Sequence, residues 1–309
     1  MTDDNSSSRT GGGVFAVIAF SLWGVFPLYF KAVSSVPALE MLAHRAFWVL
    51  VTLLPIVLIL RGKQHVVAAF RDKTARRAIV VATSLLSVNW LIFIWAITNG
   101  YVLQSSLGYY INPLLNVLLG VIVLKETLRP MQKLALLIAA AGVAVMVFGL
   151  GVFPWVSLSL ALTFALYGLA RKKSPVGSMT GLFAETIIIT PIALLFLAWL
   201  WSDHSSQFDM NPVVSLDDME LFALVVASGI VTSLPLVLFT EAARRLPLSV
   251  LGFFQYITPT GHFILAVFVF GEQFTGWHMA SFAIIWLALA LYSTDALKHR
   301  RQQLAETAT

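Results

Sequence analysis

Along most of this chain apolar residues follow one another with neither the alternation of a half-buried strand nor the polar stripe of a solvated helix, and the polar residues gather in short breaks between long runs. The hydrocarbon core of a bilayer, about 30 Å thick, takes about 20 apolar residues of helix. The runs at 13–32, 37–60, 78–98, 102–124, 131–150, 154–171, 178–201, 220–242, 247–270 and 276–296 all meet that length, the sixth with least to spare. The pattern predicts an all-α integral membrane protein with ten transmembrane helices. The first run is expected to stay in the chain, because no basic n-region beyond Arg9 and no small-residue cleavage site accompany it.

Charge adds orientation. Basic loops are retained on the cytoplasmic side, and 18 of the 20 Lys and Arg fall in the breaks that share a side with both termini, among them Arg61, Lys63, Arg71, Lys73, Arg76 and Arg77. The opposite breaks hold none, and the longest of them is acidic through Asp203, Asp209, Asp217, Asp218 and Glu220. Both termini are therefore expected in the cytoplasm, which an even number of spans requires. The remaining cations are Lys31, near an outer end, and Arg45, inside a span. A net charge of +5 thus follows topology and gives no reason to infer nucleic-acid binding. With 59% hydrophobic and 11% charged residues and a mean hydropathy of +0.86, lipid is the solvent. The absence of Cys excludes disulfides, thiolate metal sites and thiol nucleophiles.

The chain also repeats itself. LGYY at 107–110 matches LGFF at 251–254, FSLWG at 20–24 matches FALYG at 164–168, and Pro113 to Glu126 spans the same 13 residues as Pro259 to Glu272. Two five-helix halves follow, 13–150 and 154–296, flanked by tails 1–12 and 297–309. Because five is odd, the second half enters the membrane from the other side, and the repeats are inverted.

Polar groups inside spans are costly, so each is a candidate for function as well as for helix packing. Gln104, Gly108, Asn112 and Asn116 form a stripe at four-residue spacing, with Pro113 expected to bend the helix. Gln255, Thr258, Pro259 and His262 repeat the device in the ninth span. Two symmetry-related broken helices with polar groups on one face suit a midplane cavity. Arg45 lies eight residues past Pro37, roughly 12 Å deep, where it either snorkels outward or faces a cavity and meets a substrate anion. His44 follows Glu40 by one turn and can be held by it. Glu185 sits alone among apolar residues, either protonated or paired, and is the candidate for proton coupling together with His44. Glu241 reads as an ion pair with Arg244 or Arg245, and Glu126 and Glu272 as turn or capping groups. Of the aromatics Trp23, Trp90, Trp95, Tyr109, Tyr110, Phe253 and Phe254, only Trp23 and Tyr109 join the substrate path; the others read as packing or interface residues.

The paired Pro…Glu exits, SVNWLIFIWAITN, LGYYINPL, LGFFQYITPT and ALYGLARKK resemble the RarD branch of the EamA-type drug/metabolite transporter superfamily, over essentially residues 13–296. The resemblance implies two inverted repeats, a bacterial inner-membrane location and secondary transport of a small solute. One departure is that Lys125-Glu126 stands where such repeats commonly have Gly-Glu, as at Gly271-Glu272. No GxxxxGK[ST], HExxH or GxSxG motif occurs, so neither direct ATP drive nor these hydrolytic sites are expected, and no catalytic residue, metal or cofactor is assigned. The expected function is export or exchange of a small amphipathic or zwitterionic metabolite or drug by alternating access. A lipid-carrier flippase and an intramembrane transferase are the alternatives. The expected partners are a small-molecule substrate and the bilayer; the oligomeric state stays open between monomer and homodimer.

Overall fold

The computed structural model describes residues 3–60, 63–125, 129–150, 153–202, 214, 218–245 and 254–306. Arg61, Glu126, Asp203, Asp209, Asp217 and Phe253, singled out above, lie outside them, as do the side chains of Arg9, Pro113, Asn116 and Arg244. A backbone without water nearby must satisfy its own N–H and C=O groups, and all the regular structure among the described residues is helical. In order the elements are α1 (Asp3–Gly24), α2 (Phe26–Ala32), α3 (Ala38–Leu60), α4 (Lys63–Arg71), α5 (Lys73–Thr98), α6 (Val102–Leu124), α7 (Pro130–Leu150), α8 (Trp155–Lys173), α9 (Ser178–Ser202), α10 (Met219–Arg245), α11 (Ile257–Ile264), a π-helical turn (Leu265–Val269) and α12 (Gly276–Glu306). Among the described residues seven stretches are long and apolar enough to cross a membrane, and Trp155–Arg171 and Ile257–Val269 are shorter apolar helices.

The structure departs from the hydropathy pattern in four places. The first span is two helices, parted at Val25 just ahead of Pro27, and α1 begins at Asp3, within the segment read as a tail. The basic connection after α3 is itself a helix, α4, which leads to α5 through Asp72, whose carboxylate accepts the Ala75 N–H at 2.6 Å as an N-cap. The last helix runs on to Glu306. The helix α6 passes unbroken through Pro113, so the expected break is not there. In the second half the corresponding irregularity is the π turn six residues beyond Pro259.

Helix contacts fall into matched sets. α6 packs on α8 as α11 packs on α1; α5 packs on α8 as α10 packs on α1; α3 packs on α10 as α9 packs on α5. The remaining major contacts, α3 with α9, α6 with α11 and α7 with α12, pair elements holding the same place in each half. Close approach needs small residues: a Cβ on Gly261 would lie 2.9 Å from the Gly24 Cα, and Ser281 of α12 donates to the Gly142 carbonyl of α7 at 2.8 Å.

The Pro…Glu exits share a backbone device. Gly271 has φ 65° and Lys125 φ 57°, both left-handed, so each stops its helix one residue before the Glu. After Gly271 the Glu272 N–H donates to the Ala266 carbonyl at 2.9 Å, closing the end. Lys125 holds the same conformation with a Cβ, at a cost of about 1 kcal/mol or more. Lys125→Gly is therefore expected to raise unfolding stability by about 1 kcal/mol, measured by thermal unfolding in detergent. No gain would mean that the lysine's charge at the helix end offsets its strain.

Candidate functional site

Three polar residues of α3 start the site. Arg45 is only 3% exposed, so it does not snorkel: its Nε–H donates to Thr232 Oγ1 of α10 at 2.9 Å. The guanidinium carbon sits 4.1 Å from the centre of the Trp90 ring on α5 and 5.3 Å from that of Phe30 on α2. Among the described residues no carboxylate forms an ion pair with it, and Nη1 is buried without a hydrogen-bond partner. Two aromatic faces stabilise a desolvated cation by about 1–2 kcal/mol each, less than a buried ion pair's Coulombic gain, and they leave Nη1 without an acceptor among the described residues.

Glu40 and His44 lie beside Arg45 on the chain; Glu40 bonds elsewhere, and His44 Nε2 is buried without a hydrogen-bond partner among the described residues. The Glu40 carboxylate, 1% exposed, accepts the Val214 N–H at 3.1 Å, and His44 Nε2 approaches it to 3.9 Å. The expected Glu40–His44 proximity is present, and Glu40 ties the residues before α10 to α3.

From Phe30 the aromatic wall continues to Phe93 of α5, 5.6 Å between ring centres, and Phe93 lies 5.5 Å from His262 and 6.0 Å from Tyr109. His262 is 1% exposed; Nε2 lies 3.0 Å from the Trp23 carbonyl and Nδ1 is buried with no partner. Trp23 contributes that carbonyl, while its ring packs on Phe20 and Phe239. Arg45, Tyr109 and His262 therefore join one aromatic-walled centre built from both halves of the chain.

The amides go to other places. Asn112, expected on the substrate path, donates from Nδ2 to the Ala161 carbonyl of α8 at 3.0 Å, so this amide also joins α6 to α8. Gln104 borders a cleft of about 200 Å³ with Gly100, Tyr101, Leu103, Glu272, Gln273 and His278. Gln255 is half-buried in the turn before α11. At that cleft the Glu272 carboxylate accepts the N–H groups of Val102 and Leu103 at 2.6 and 2.8 Å, capping α6 as the sequence suggests. Burial pushes the Glu272 carboxyl above the usual range, against the pull of those N–H groups and of Lys31.

Glu185 is not the isolated carboxylate that its apolar neighbours suggest. It is 2% exposed and ion-paired with Arg171 at 3.2 Å, and it accepts the Tyr167 hydroxyl at 3.3 Å. Arg171 stands at the end of α8, and its side chain reaches back along α9 over Gly181, where no side chain obstructs it. The pairing gives Glu185 a partner, so any proton exchange there would act on an ion pair and not on a lone acid. Glu241 forms the expected exposed pair, with Arg245 at 3.1 Å.

Sequence reasoning left out Thr232, Phe30, Trp90 and Phe93. Trp90 was the one within reach, since an arginine buried without a carboxylate calls for a π face. Thr232 carries no mark that separates it from the Ser and Thr that bond their own helix backbone.

Comparison with known proteins places this geometry. The model of the EamA-like transporter family matches the chain twice, over residues 10–148 and 154–294. The chain belongs to that family. It is 42% identical over 291 residues to Protein RarD of Escherichia coli K12, covering 94% of this chain and 96% of that one. It is 44% identical over 298 residues to an uncharacterized transporter of Vibrio cholerae, covering 96% of each. These relatives put this EamA-type chain in the RarD branch of the drug/metabolite transporter superfamily, as a multi-pass membrane transporter. A crystal structure of a protein 18% identical superposes with a TM-score of 0.60 over 92% of this chain and 97% of that one, a likeness of fold.

Proposed function

We propose that this EamA-type chain is a secondary active transporter that exports or exchanges a small amphipathic or zwitterionic metabolite or drug across the bacterial inner membrane, with Arg45 receiving the substrate's anionic group. The observation that carries the reading is a guanidinium 3% exposed, walled by aromatic rings, with a buried donor that no described group accepts. A carboxylate arriving there gains a charge-assisted hydrogen bond in a desolvated site, and the apolar body of an amphipathic solute suits the rings of Trp90, Phe30 and Phe93.

Ten spans in two inverted repeats, 13–150 and 154–296, with both termini cytoplasmic, give the mechanism its frame. The matched helix contacts and the twofold family match support this reading. Arg45 belongs to the first half and its acceptor Thr232 to the second, so rocking of one half against the other alters the site from both sides. Comparison of intracellular and medium metabolites with and without the protein tests the transport reading: a solute that accumulates inside only in its absence identifies an exporter. Copurified lipid carrier with no such solute favours a flippase instead.

Orientation is tested separately. Reporter fusions at either terminus or within 61–77 are expected to report cytoplasm, and a fusion within 203–218 the outside, because 18 of 20 basic residues lie on one side. A cytoplasmic signal from 203–218 would overturn the inverted-repeat frame.

A further inference from the structure

A second orphan faces the same aromatic centre as Arg45, and its chemistry is the opposite. A carbonyl oxygen only accepts, so the His262 Nε2 that lies 3.0 Å from the Trp23 carbonyl is the nitrogen that carries the proton. That leaves Nδ1 with a lone pair. The atom is buried and has no hydrogen-bond partner among the described residues, and the ring around it is 1% exposed. A second proton on Nδ1 would put a desolvated charge between Phe93 and Tyr109, each 5.5 Å from the imidazole centre, with no carboxylate paired to it among the described residues. The nitrogen is thus an acceptor waiting for a donor.

The Trp23 carbonyl holds the ring in this tautomer, and the approach of Gly24 to Gly261 brings that carbonyl within reach. The packing of α1 on α11 therefore fixes which nitrogen keeps the lone pair. Arg45 supplies a donor and no acceptor; His262 supplies an acceptor and no donor. Apolar rings connect them, through Phe30 and Phe93.

The geometry points to His262 as the specificity-determining residue of the site: it accepts a hydrogen bond from an O–H or N–H on a substrate whose anionic group Arg45 holds, so that the transported class is acids that carry a donor on an apolar body. This rests on the assignment of Arg45 under Proposed function. A plain alkyl carboxylate would satisfy Arg45 and leave Nδ1 as unpaired as it is in the free protein, so it gains nothing there, whereas an acid with a donor gains a hydrogen bond.

The test uses the purified full-length protein and a series of ω-hydroxyalkanoates from butanoate to decanoate, each with its ω-methoxy ether, titrated by intrinsic tryptophan fluorescence. The ether keeps the oxygen as an acceptor and removes the donor, and the series covers the spacing between Arg45 and His262. For at least one chain length the hydroxy acid is expected to bind more tightly than its ether by a factor on the order of ten. His262→Phe keeps a ring between Phe93 and Tyr109 and is expected to bring the two affinities together by weakening the hydroxy acid. Equal binding of every pair by the wild type, or binding of neither series, overturns the inference without recourse to a variant. A preference that survives in His262→Phe also overturns it. Dependence of cellular metabolite export on Arg45 is read independently, so the loss of one reading leaves the other standing.

Discussion

Arg45→Leu is expected to insert and fold normally and to export nothing. The physical grounds are two opposed terms. Removing a buried charge that has no carboxylate partner relieves desolvation, and replacement of buried ionic groups by apolar ones of similar size is often neutral or stabilising. Leu fits between Trp90 and Phe30, where the guanidinium now stacks. Among the described residues the Thr232 hydroxyl loses its hydrogen-bond partner, and it can turn to its own helix backbone. Transport, in contrast, loses the group that receives the anion. Arg45→Lys separates charge from shape: an ammonium keeps the cation but neither the fork nor the stacked plane, and substrate affinity is expected to fall by about 1–3 kcal/mol. Both variants are measured by detergent-phase thermal unfolding and by the medium level of whichever metabolite the wild type exports. Full export by Arg45→Leu would make the guanidinium a packing device and move the site elsewhere.

How far the sequence reaches depends on whether a property belongs to one residue or to a pair. Span positions, sidedness and repeats are sums over many residues, and α3, α5, α6, α7, α9 and α10 all lie close to the apolar runs. A local backbone need is also legible: Gly271 announces a helix stop, which is present, whereas Glu272 announces a cap without showing that the helix it caps is α6, in the other half. Partners are not legible, because they arrive from helices far along the chain. Nothing near Asn112 shows that Ala161 of α8 accepts its N–H, and Glu185 looks isolated until Arg171 folds back over Gly181. Arg45 is the converse case. Its depth was readable, and that no carboxylate among the described residues pairs with it was not, since the Val214 N–H donates to Glu40, five residues away. The centre that the sequence placed at paired broken helices is instead assembled from α2, α3, α5, α6, α10 and α11, with only one of the two proline helices irregular.

Glu185 and Arg171 carry the largest expected stability effect. Their burial is unequal, 2% for the carboxylate side chain and 14% for the guanidinium. Arg171 also donates to the Gly177 carbonyl at 3.1 Å, in the turn that leads into α9, so its loss affects the α8–α9 connection as well as the pair. Arg171→Leu leaves the buried Glu185 carboxyl without its counter-charge, to be held as an unpaired charge or neutralised by a proton, and the cost is expected to reach at most about 3–5 kcal/mol, the range for removing one partner of a buried pair. Glu185→Gln leaves an amide oxygen that still accepts the Tyr167 hydroxyl, while Arg171 keeps Gly177 and a partial route to water; its cost is expected to be about 1–2 kcal/mol. The Arg171→Leu/Glu185→Leu double variant removes both charges and is expected to recover most of the loss, a coupling that a double-mutant cycle reads directly. Denaturant unfolding of the four proteins in detergent supplies the numbers. Equal costs for the two single variants, or additive costs in the double, would show that Glu185 is not confined by its partner. A carboxylate free of that clasp would again be a candidate for proton coupling; a coupled one instead holds α8 and α9 as a single piece, which a half that rocks as a rigid body requires.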